Sequence, residues 1–370
     1  MHEILIVAGE ASGDLHGGGV AEALHALQPA RPLAGVGGTR MAAAGVELLE
    51  RVENLAVMGF VEVLKHVPMH WALLRRLKAR LRTGRVGLVI VIDYPGFNMK
   101  LAAAAKEVGV PVLYYVTPQV WAWGAGRLPK LAKLITKAAP ILPFEEALLR
   151  QHGIDASFVG HPLLDRAASL PSKFEARRQL KLDPDAPLLA LFPGSREQEI
   201  ARHLDDFVAV GREMQRRVPT LGVVVSVAST IDIDVQRCPF PMVRGQSFPL
   251  LRAADVAMCK SGTTTLEAAV AGCPLVVAYR TSGWTYRIAR RVVKIPHIGL
   301  VNVVAGREVA REFVQDALEP NAVSDELQAL LDPTSPRRAE VERGLAEVRA
   351  KLGTPGAAGR VARLALEIAK

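Results

Sequence analysis

The chain has 370 residues, of which half are hydrophobic and 22% are charged, with a net charge of +9 and a pI of about 9.6. This length predicts two domains, and the composition excludes a disordered chain. The positive charge favours an anionic partner: nucleotide phosphates, nucleic acid or an anionic lipid surface.

Three cysteines without C-x-x-C spacing predict neither a disulfide framework nor a zinc site. The apolar run at residues 4–8 is cut short by acidic residues and has no basic segment before it, so it is not a secretory signal peptide. No run approaches the ~18 apolar residues of a membrane-spanning helix. We therefore expect a cytoplasmic protein that is at most attached to a membrane surface.

The chain opens on a pattern typical of a parallel α/β sheet. Residues 4–8 form a continuous apolar run, as expected of a strand buried on both faces, and a glycine-rich turn and a helical pattern follow. Open α/β sheets bind ligands at such turns. Neither residues 9–19 nor residues 35–40 match G-x-G-x-x-G, which disfavours a dinucleotide site.

Residues 54–85 combine apolar side chains with many Lys and Arg residues. A helix with an apolar face and basic flanks can lie in a membrane interface, or it can pack on a core with its basic face in solvent. The pattern alone leaves both interpretations open.

A second buried strand is predicted at residues 88–92, and Asp93 follows it directly. A carboxylate just past the carboxyl end of a parallel strand faces the ligand crevice, so Asp93 is the best-placed general base. Asn98 lies in the same loop. Alternatively, both residues cap the helix that begins near Met99.

A strand predicted at residues 110–116 leads into a loop with Trp121 and Trp123. Two tryptophans in such a loop can stack on a sugar or line an acyl pocket, and structural packing is the alternative. Two further strands are predicted at residues 139–144 and 156–159.

Residues 163–187 are polar and proline-rich, which predicts an inter-domain connection. Strand and helix patterns then alternate again, with a short strand or loop at 298–302. We predict an α/β protein with two doubly wound Rossmann-like domains facing a cleft. The predicted segments are an N-terminal domain (1–165), a linker (166–187), a C-terminal domain (188–345) and a C-terminal helical segment (346–370) that packs on the first domain or on a partner.

Two turns in the second half predict a nucleotide-diphosphate site. An apolar strand pattern at residues 255–259 leads into a tight turn and a helix start within residues 260–274, whose small residues let a phosphate approach unpaired N–H groups. An ordinary side-chain N-cap is the alternative. A second turn adds the guanidinium of Arg196, and Glu267 can accept hydrogen bonds from ribose hydroxyls. The residues assigned to this site are Gly194, Ser195, Arg196, Ser261, Gly262, Thr263, Thr264 and Glu267.

Two acidic pairs have the D-x-D spacing of some metal sites, at Asp183/Asp185 and Asp232/Asp234. The first lies in the predicted linker and the second in a loop, and such spacings are frequent by chance. We expect no metal, because helix dipoles and Arg196 can stabilise a departing diphosphate.

Six motifs resemble the lipid-A-disaccharide synthase family, in family order over most of the chain. They are residues 8–14 (AGEASGD), 58–63 (MGFVEV), 93–98 (DYPGFN), 117–123 (TPQVWAW), 191–196 (LFPGSR) and 261–267 (SGTTTLE). The resemblance implies a GT-B glycosyltransferase that joins UDP-2,3-diacylglucosamine to 2,3-diacylglucosamine 1-phosphate (lipid X). The products would be the β-1,6-linked lipid A disaccharide 1-phosphate and UDP, formed with inversion at the sugar carbon.

The resemblance also implies site residues in the first half of the chain. Asp93 and Glu10 are the candidates for the general base, since Gly96 stands where some family members carry another acid. The residues assigned to substrate binding are Ser12, Asn98, Gln119, Trp121 and Asn302.

Lipid substrates change the interpretation of the basic helix, because an enzyme must extract them or work at the interface. We therefore expect association with the inner membrane. The residues assigned to membrane or acyl contact are Val57, Met58, Phe60, Val61, Leu64, Met69 and Trp71. A homodimer is compatible with the resemblance.

Two other functions fit parts of the sequence. One is another metal-free GT-B enzyme acting on UDP-N-acetylglucosamine, a transferase or a 2-epimerase. The other is a nucleic-acid-binding protein, which is disfavoured because Lys and Arg are spread along the chain and aromatic residues make up only 5% of it.

Overall fold

The computed structural model describes residues 1–55, 60–123, 125–229, 231–234, 236–284, 286–287 and 296–370, with the backbone alone at 60–67, 122–123 and 125. The chain divides into two compact units. The first comprises Met1–Pro162 and Gly353–Lys370, and the second comprises Leu163–Leu352. Each unit contains a six-stranded parallel sheet.

The first unit alternates strands and helices. Its strands are β1 (Glu3–Ala8), β2 (Leu33–Gly37), β3 (Glu47–Arg51), β4 (Val86–Ile92), β5 (Val112–Tyr115) and β6 (Lys137–Ala139). Its helices within Met1–Pro162 are α1 (Ala11–Leu27), α2 (Thr39–Ala43), α3 (Val52–Leu55), α4 (Phe60–Arg82), α5 (Pro95–Glu107), α6 (Val120–Trp123), a 3₁₀ turn (Ala125–Arg127), α7 (Leu128–Leu134) and α8 (Glu145–Gln151).

The second unit repeats this alternation. Its strands are β7 (Leu188–Phe192), β8 (Gly222–Val227), β9 (Met242–Arg244), β10 (Val256–Lys260), β11 (Leu275–Tyr279) and β12 (Glu312–Val314). Its helices are α9 (Leu163–Ala167), α10 (Lys173–Gln179), α11 (Glu197–Arg217), α12 (Ser247–Ala253), α13 (Thr264–Ala271), α14 (Leu300–Ala305), a 3₁₀ turn (Gln315–Ala317), α15 (Pro320–Leu331) and α16 (Pro336–Lys351). The last helix of the chain, α17 (Ala357–Ile368), belongs to the first unit.

The central strands are apolar on both faces because each sheet has a core on either side. Alternate residues of β1 and β4 separate into two clusters, Leu5 and Val89 with α5 on one face, and Ile4 and Ile90 with α1 and α17 on the other. Successive side chains of a strand point to opposite faces, so a doubly covered strand needs an uninterrupted apolar run. That is the pattern at residues 4–8.

The two sheets have the same strand order. The first runs β3-β2-β1-β4-β5-β6, and the second runs β9-β8-β7-β10-β11-β12. In each sheet the winding direction reverses between two central strands, β1 and β4 in the first and β7 and β10 in the second. Ligands of open parallel sheets bind beyond the carboxyl ends of the strands at that point.

The boundaries between the units differ from those expected. The predicted linker at 166–187 lies in the second unit, where a capping box at Ser172 and Glu175 begins α10. Arg177 is buried there and donates to the Ala253 carbonyl at 2.9 Å and to Asp255 at 2.8 Å. The polar composition therefore belongs to a segment in which Arg166, Lys173 and Arg177 form ion pairs inside the second unit. The chain returns to the first unit between Leu352 and Gly353.

Some local expectations were wrong. The strand expected at 139–144 ends at Ala139, and residues 156–159 contribute only a single bridge, from Ala156 to Ala138. Residues 298–302 form the start of a helix, because α14 begins just after Gly299. The three cysteines are buried free thiols.

Candidate functional site

In the first unit, two loops meet beyond β1 and β4. A Cβ built on Gly9 would lie 2.1 Å from the Tyr94 ring, so the ring rests directly on the backbone of this residue. Only glycine leaves room for that contact. The turn after β1 and the turn after β4 are therefore packed against each other at the reversal point of the sheet.

Asp93 stands on a strained turn. Asp93 and Tyr94 have φ values of 46° and 49°, in the left-handed region that non-glycine residues seldom adopt. The turn is held by Asn98, whose Nδ2 donates to the carbonyls of Asp93 at 2.7 Å and Ile92 at 3.2 Å, and by Tyr114 Oη, which donates to the Asp93 carbonyl at 2.7 Å. The Asp93 side chain is exposed beyond the strand.

Asn98 is fully buried, with its amide nitrogen committed to this turn. It was assigned to substrate binding from the sequence, but its geometry makes it a support for Asp93. The alternative prediction that Asn98 caps α5 is wrong, because Asn98 is the fourth residue of that helix and donates to carbonyls instead of accepting helix N–H groups.

Glu10 faces the same turn from the other loop. It is exposed and stands at the N-terminus of α1, with extended backbone angles and no side-chain bond to the helix N–H groups. Burial, together with the negative charge of Glu10, raises the pKa of Tyr94. The Tyr94 hydroxyl lies 2.6 Å from His70 Nε2. The structure thus brings the two predicted base candidates to one edge of the sheet, and Ser12, two residues after Glu10, is exposed.

The sequence analysis missed Asp14, which organises the neighbouring loop. Its buried carboxylate accepts the backbone N–H groups of Gly38 at 2.6 Å, Arg40 at 3.0 Å and Met41 at 3.0 Å. An acid in the first turn of a helix is favoured by the helix dipole, but its three partners lie at least 24 residues away. No pattern in the sequence indicates them.

Trp121 is held by protein contacts. Its Nε1 donates to Glu145 Oε1 at 3.0 Å, and its ring meets Phe144 edge-on with centroids 5.0 Å apart. Burial raises the pKa of Glu145 to about 7. This supports the structural alternative for Trp121. Gln119 is exposed in the same loop, and the side chain of Trp123 lies outside the described residues.

In the second unit, the turn after β7 is shaped by Glu199. Gly194 has φ 141°, and a Cβ there would lie 2.5 Å from the Glu199 Cβ. Glu199 Oε2 accepts the Ser195 N–H at 2.9 Å, while Arg196 is largely exposed. The Glu199 carboxylate therefore fixes the backbone of this turn, and the Arg196 guanidinium extends from it into solvent.

The turn after β10 lies at the same reversal point. Thr263 precedes α13 and makes no side-chain cap, Thr264 begins the helix, and the Thr265 hydroxyl donates to the Gly262 carbonyl at 2.8 Å. The Ser261 hydroxyl donates to the Ile298 carbonyl at 2.7 Å. The alternative of an ordinary side-chain N-cap does not hold for Thr263.

Glu267 is buried and already has protein partners. Arg166 donates to its Oε1 at 3.1 Å, and the Ser247 hydroxyl donates to its Oε2 at 3.3 Å. Arg166 also lies over the Phe248 ring, 5.1 Å from its centroid. A carboxylate accepts about four hydrogen bonds, so these contacts orient Glu267 and leave it capacity for a ribose.

The structure does not support the substrate-binding role expected of Asn302. It is fully buried, donates to the Ala310 carbonyl and Glu312, and accepts the N–H groups of Val309 and Ala310 at 2.7 to 2.9 Å. Its hydrogen-bonding capacity is used within the domain. Glu312 also accepts the N–H groups of residues 298 and 299, and thereby fixes the segment that Ser261 contacts.

The residues expected to contact a membrane are described only in part. Val57 and Met58, and the side chains of Phe60, Val61 and Leu64, lie outside the described residues. Met69 packs against the core of the first unit, so a membrane role for it is not supported. Trp71 is 60% exposed, with Lys100 Nζ 5.2 Å from its ring. Among the described helices none is long and apolar enough to cross a bilayer.

Curated relatives match the chain over its whole length. Lipid-A-disaccharide synthase of Syntrophus aciditrophicus is 41% identical over 375 residues, which cover 99% of this chain and 98% of the relative. The protein of the same name from Trichlorobacter lovleyi is 42% identical over 372 residues, covering 99% and 97%.

Solved structures show the same fold at low identity. A putative UDP-N-acetylglucosamine 2-epimerase from Listeria monocytogenes superposes with a TM-score of 0.68 at 11% identity, over 97% of this chain and 94% of that one. The glycosyltransferase of kitacinnamycin superposes with a TM-score of 0.66 at 16% identity, over 100% of this chain and 99% of that one. These neighbours confirm the predicted GT-B type α/β fold.

The family model described as lipid-A-disaccharide synthetase matches residues 4–354. It spans all six motifs from which the resemblance was drawn, and the full-length relatives carry the same name. The chain belongs to the lipid-A-disaccharide synthetase family.

Proposed function

We propose that this protein is an inverting glycosyltransferase that joins UDP-2,3-diacylglucosamine to 2,3-diacylglucosamine 1-phosphate and releases UDP. The observation that carries the proposal is positional. The chain belongs to this family, and the predicted acidic residues lie at the reversal point of the first sheet. The predicted diphosphate-binding turns lie at the reversal point of the second sheet. That point is where such sheets bind ligands.

The second unit holds the donor nucleotide in this proposal. Arg196 and the backbone N–H groups at the start of α13 contact the diphosphate, and Glu267, oriented by Arg166, accepts the ribose hydroxyls. As the bond from the sugar C1 to the diphosphate oxygen breaks, negative charge develops on the leaving group. Fixed positive groups stabilise that charge without having to reorganise.

Asp93 is the general base in this proposal. It removes the proton from the acceptor 6-hydroxyl, the oxygen attacks C1 of the donor sugar, and UDP departs with the bonding electron pair. Its exposed side chain and the strained, hydrogen-bonded turn beneath it support the assignment, because such strain persists where the surroundings impose it. Glu10 faces the same turn and orients the acceptor.

We further propose that the reaction needs no metal. Both acidic pairs with D-x-D spacing have protein partners: Asp183 accepts the N–H groups of Asp185 and Ala186, and Asp232 pairs with Arg244 at 2.7 Å. In place of a cation, the proposal relies on Arg196 and the helix terminus.

The first unit is proposed to act at a membrane surface. Exposed Trp71 next to Lys100 supports this, since an aromatic ring flanked by cations suits the interface of an anionic bilayer. Sedimentation with anionic vesicles should recover more wild-type protein than Trp71→Ser, and equal recovery would contradict the proposal.

The reaction is tested with purified protein, both lipid substrates and EDTA, by measuring UDP release. We expect release that depends on the acceptor lipid, and no turnover of UDP-N-acetylglucosamine alone. Asp93→Asn should lower kcat about 10²-fold or more with little change in KM, and Glu10→Gln should lower it less. A larger loss in Glu10→Gln would transfer the base role to Glu10, and loss of activity with EDTA would refute metal independence.

A further inference from the structure

An ion pair joins the two turns of the second unit that the proposed function assigns to the nucleotide. Lys260, the last residue of β10, donates from Nζ to Glu199 Oε1 at 2.8 Å, and the two side chains are only 18% and 17% exposed. The other carboxylate oxygen accepts the Ser195 N–H at 2.9 Å. One carboxylate thus connects the turn after β7 to the end of β10.

Part of this arrangement is a helix cap. Glu199 is the third residue of α11, a position from which a glutamate commonly reaches back to the N–H of the N-cap residue. Here it accepts the N–H of Ser195, one residue before the N-cap Arg196. The cap itself needs no lysine. Withdrawing an ammonium group from water carries a cost that the cap does not explain, so Lys260 calls for a separate reason.

The position of the ammonium supplies that reason. A Cβ built on Gly262 would lie 3.9 Å from Lys260 Nζ, which places the ammonium against the turn that begins α13. Glu199 Oε1, which accepts from Lys260, is also 3.9 Å from the Arg196 guanidinium. A lysine, an arginine and a backbone N–H therefore converge on one carboxylate. Burial raises the pKa of Glu199, but the hydrogen bond from Lys260 is the largest of the opposing effects, which together hold the pKa below its usual value.

We propose that Lys260 is a binding residue for the diphosphate of the donor nucleotide, and that Glu199 is the positioning residue that keeps its ammonium between the two turns. The inference rests on the proposed function and adds a second cation to the site. A diphosphate carries at least two negative charges, and Arg196 alone supplies one positive charge. Charge-assisted hydrogen bonds to phosphate are among the strong ones, so a largely buried lysine contributes appreciably there.

The test is calorimetric titration of the full chain with UDP and with uridine, which lacks phosphates. Lys260→Met should bind UDP about ten-fold more weakly and bind uridine within two-fold of wild type. Equal losses for both ligands would show a merely structural role and overturn the proposal, as would no loss at all. If Lys260→Met lowers the thermal midpoint, Lys260→Gln replaces it, because its amide can still donate to Glu199.

A matched control separates contact from long-range charge. Arg202 is an exposed cation on the same helix as Glu199, and Arg202→Met should bind UDP within two-fold of wild type. A loss equal to that of Lys260→Met would overturn the assignment. Failure of the wild-type protein to bind UDP would overturn the proposed function as well, whereas wild-type binding with an unchanged Lys260→Met would overturn the role of Lys260 alone.

Discussion

The indole N–H of Trp121 donates to the buried carboxyl of Glu145 at 3.0 Å. The same carboxyl accepts the Leu142 N–H at 3.1 Å through its other oxygen. It thereby ties the loop after β5 to the segment that leads from β6 into α8. The bond explains why a tryptophan with an expected ligand role is instead part of the scaffold of the first unit.

Glu145 should make the protein less stable as the pH rises. Burial raises the pKa of Glu145 from 4.5 to about 7, so the folded state binds more protons than the unfolded state between these values. Its stabilising effect is complete below about pH 4.5 and is lost as the pH rises through 7. Glu145→Gln removes the titration and keeps one acceptor oxygen, for Trp121. Between pH 5 and pH 8, the stability of the variant relative to wild type should therefore rise by about 2–3 kcal/mol.

The measurement is the unfolding midpoint at pH 5 and pH 8. Near pH 5 the variant should be the less stable protein, because its amide NH2 cannot accept the Leu142 N–H. Glu146→Gln, the next residue along α8, is the control and should show no comparable gain at pH 8. A difference between wild type and Glu145→Gln that is the same at both pH values would contradict the prediction.

His161 should act in the opposite direction. Burial, together with the charge of His16, lowers the pKa of His161 to about 3. The folded state therefore keeps the ring neutral while the unfolded chain takes up a proton below about pH 6.5, and stability falls as the pH drops from that value. The loss at pH 5 should be about 2 kcal/mol.

Denaturation midpoints of wild type and His161→Gln between pH 7 and pH 5 test this. The variant should be less stable than wild type at pH 7, but its stability should fall less steeply as the pH is lowered. If the stability of both proteins fell equally with pH, His161 would not be the cause of the loss in acid.

Asn98→Ala should separate positioning from chemistry. Removing the amide takes away the bonds to the carbonyls of Asp93 and Ile92, which should cost about 1–2 kcal/mol of stability and relax the strained turn. We expect kcat to fall at least ten-fold while the carboxylate remains. Asp93→Asn, in contrast, should lose activity at unchanged stability. Full activity in Asn98→Ala would show that the turn needs no such support.

Gly9→Ala and Gly96→Ala form a matched pair. A Cβ at Gly9 would collide with the Tyr94 ring at 2.1 Å, whereas one at Gly96 would meet nothing within 4 Å. Gly9→Ala should therefore displace the turn and abolish most activity. Gly96→Ala should stay active, and its free energy of unfolding should rise by up to about 1 kcal/mol, since alanine favours the helix that Gly96 occupies. Rates of UDP release and thermal midpoints check both, and equal behaviour would refute the account.

The sequence predicted those parts of the fold that depend on local pattern. Doubly buried strands need continuous apolar runs, which is why residues 4–8 and 88–92 were assigned correctly. β2 is glycine-rich and β12 has three residues, and neither carries such a run. The turn at Asp93 was predicted from its place after a strand.

Other features of the site depend on contacts between distant residues. Arg166 approaches Glu267 across 101 residues, and Lys260 approaches Glu199 across 61. Asn302 was assigned to the site by the family resemblance, yet its partners are backbone groups and a side chain of its own domain. Their side chains alone do not distinguish a ligand contact from a structural one.

Helix α17 shares a core cluster with α1, through Val361 and Ala365 on one helix and Val20 and Leu24 on the other. Residues 353–370 are synthesised after the entire second unit. The first unit therefore leaves the ribosome with an uncovered apolar face, and its folding can be completed only when α17 arrives. A nascent chain paused near residue 340 should expose that face to chaperones, even though its first 162 residues are already made.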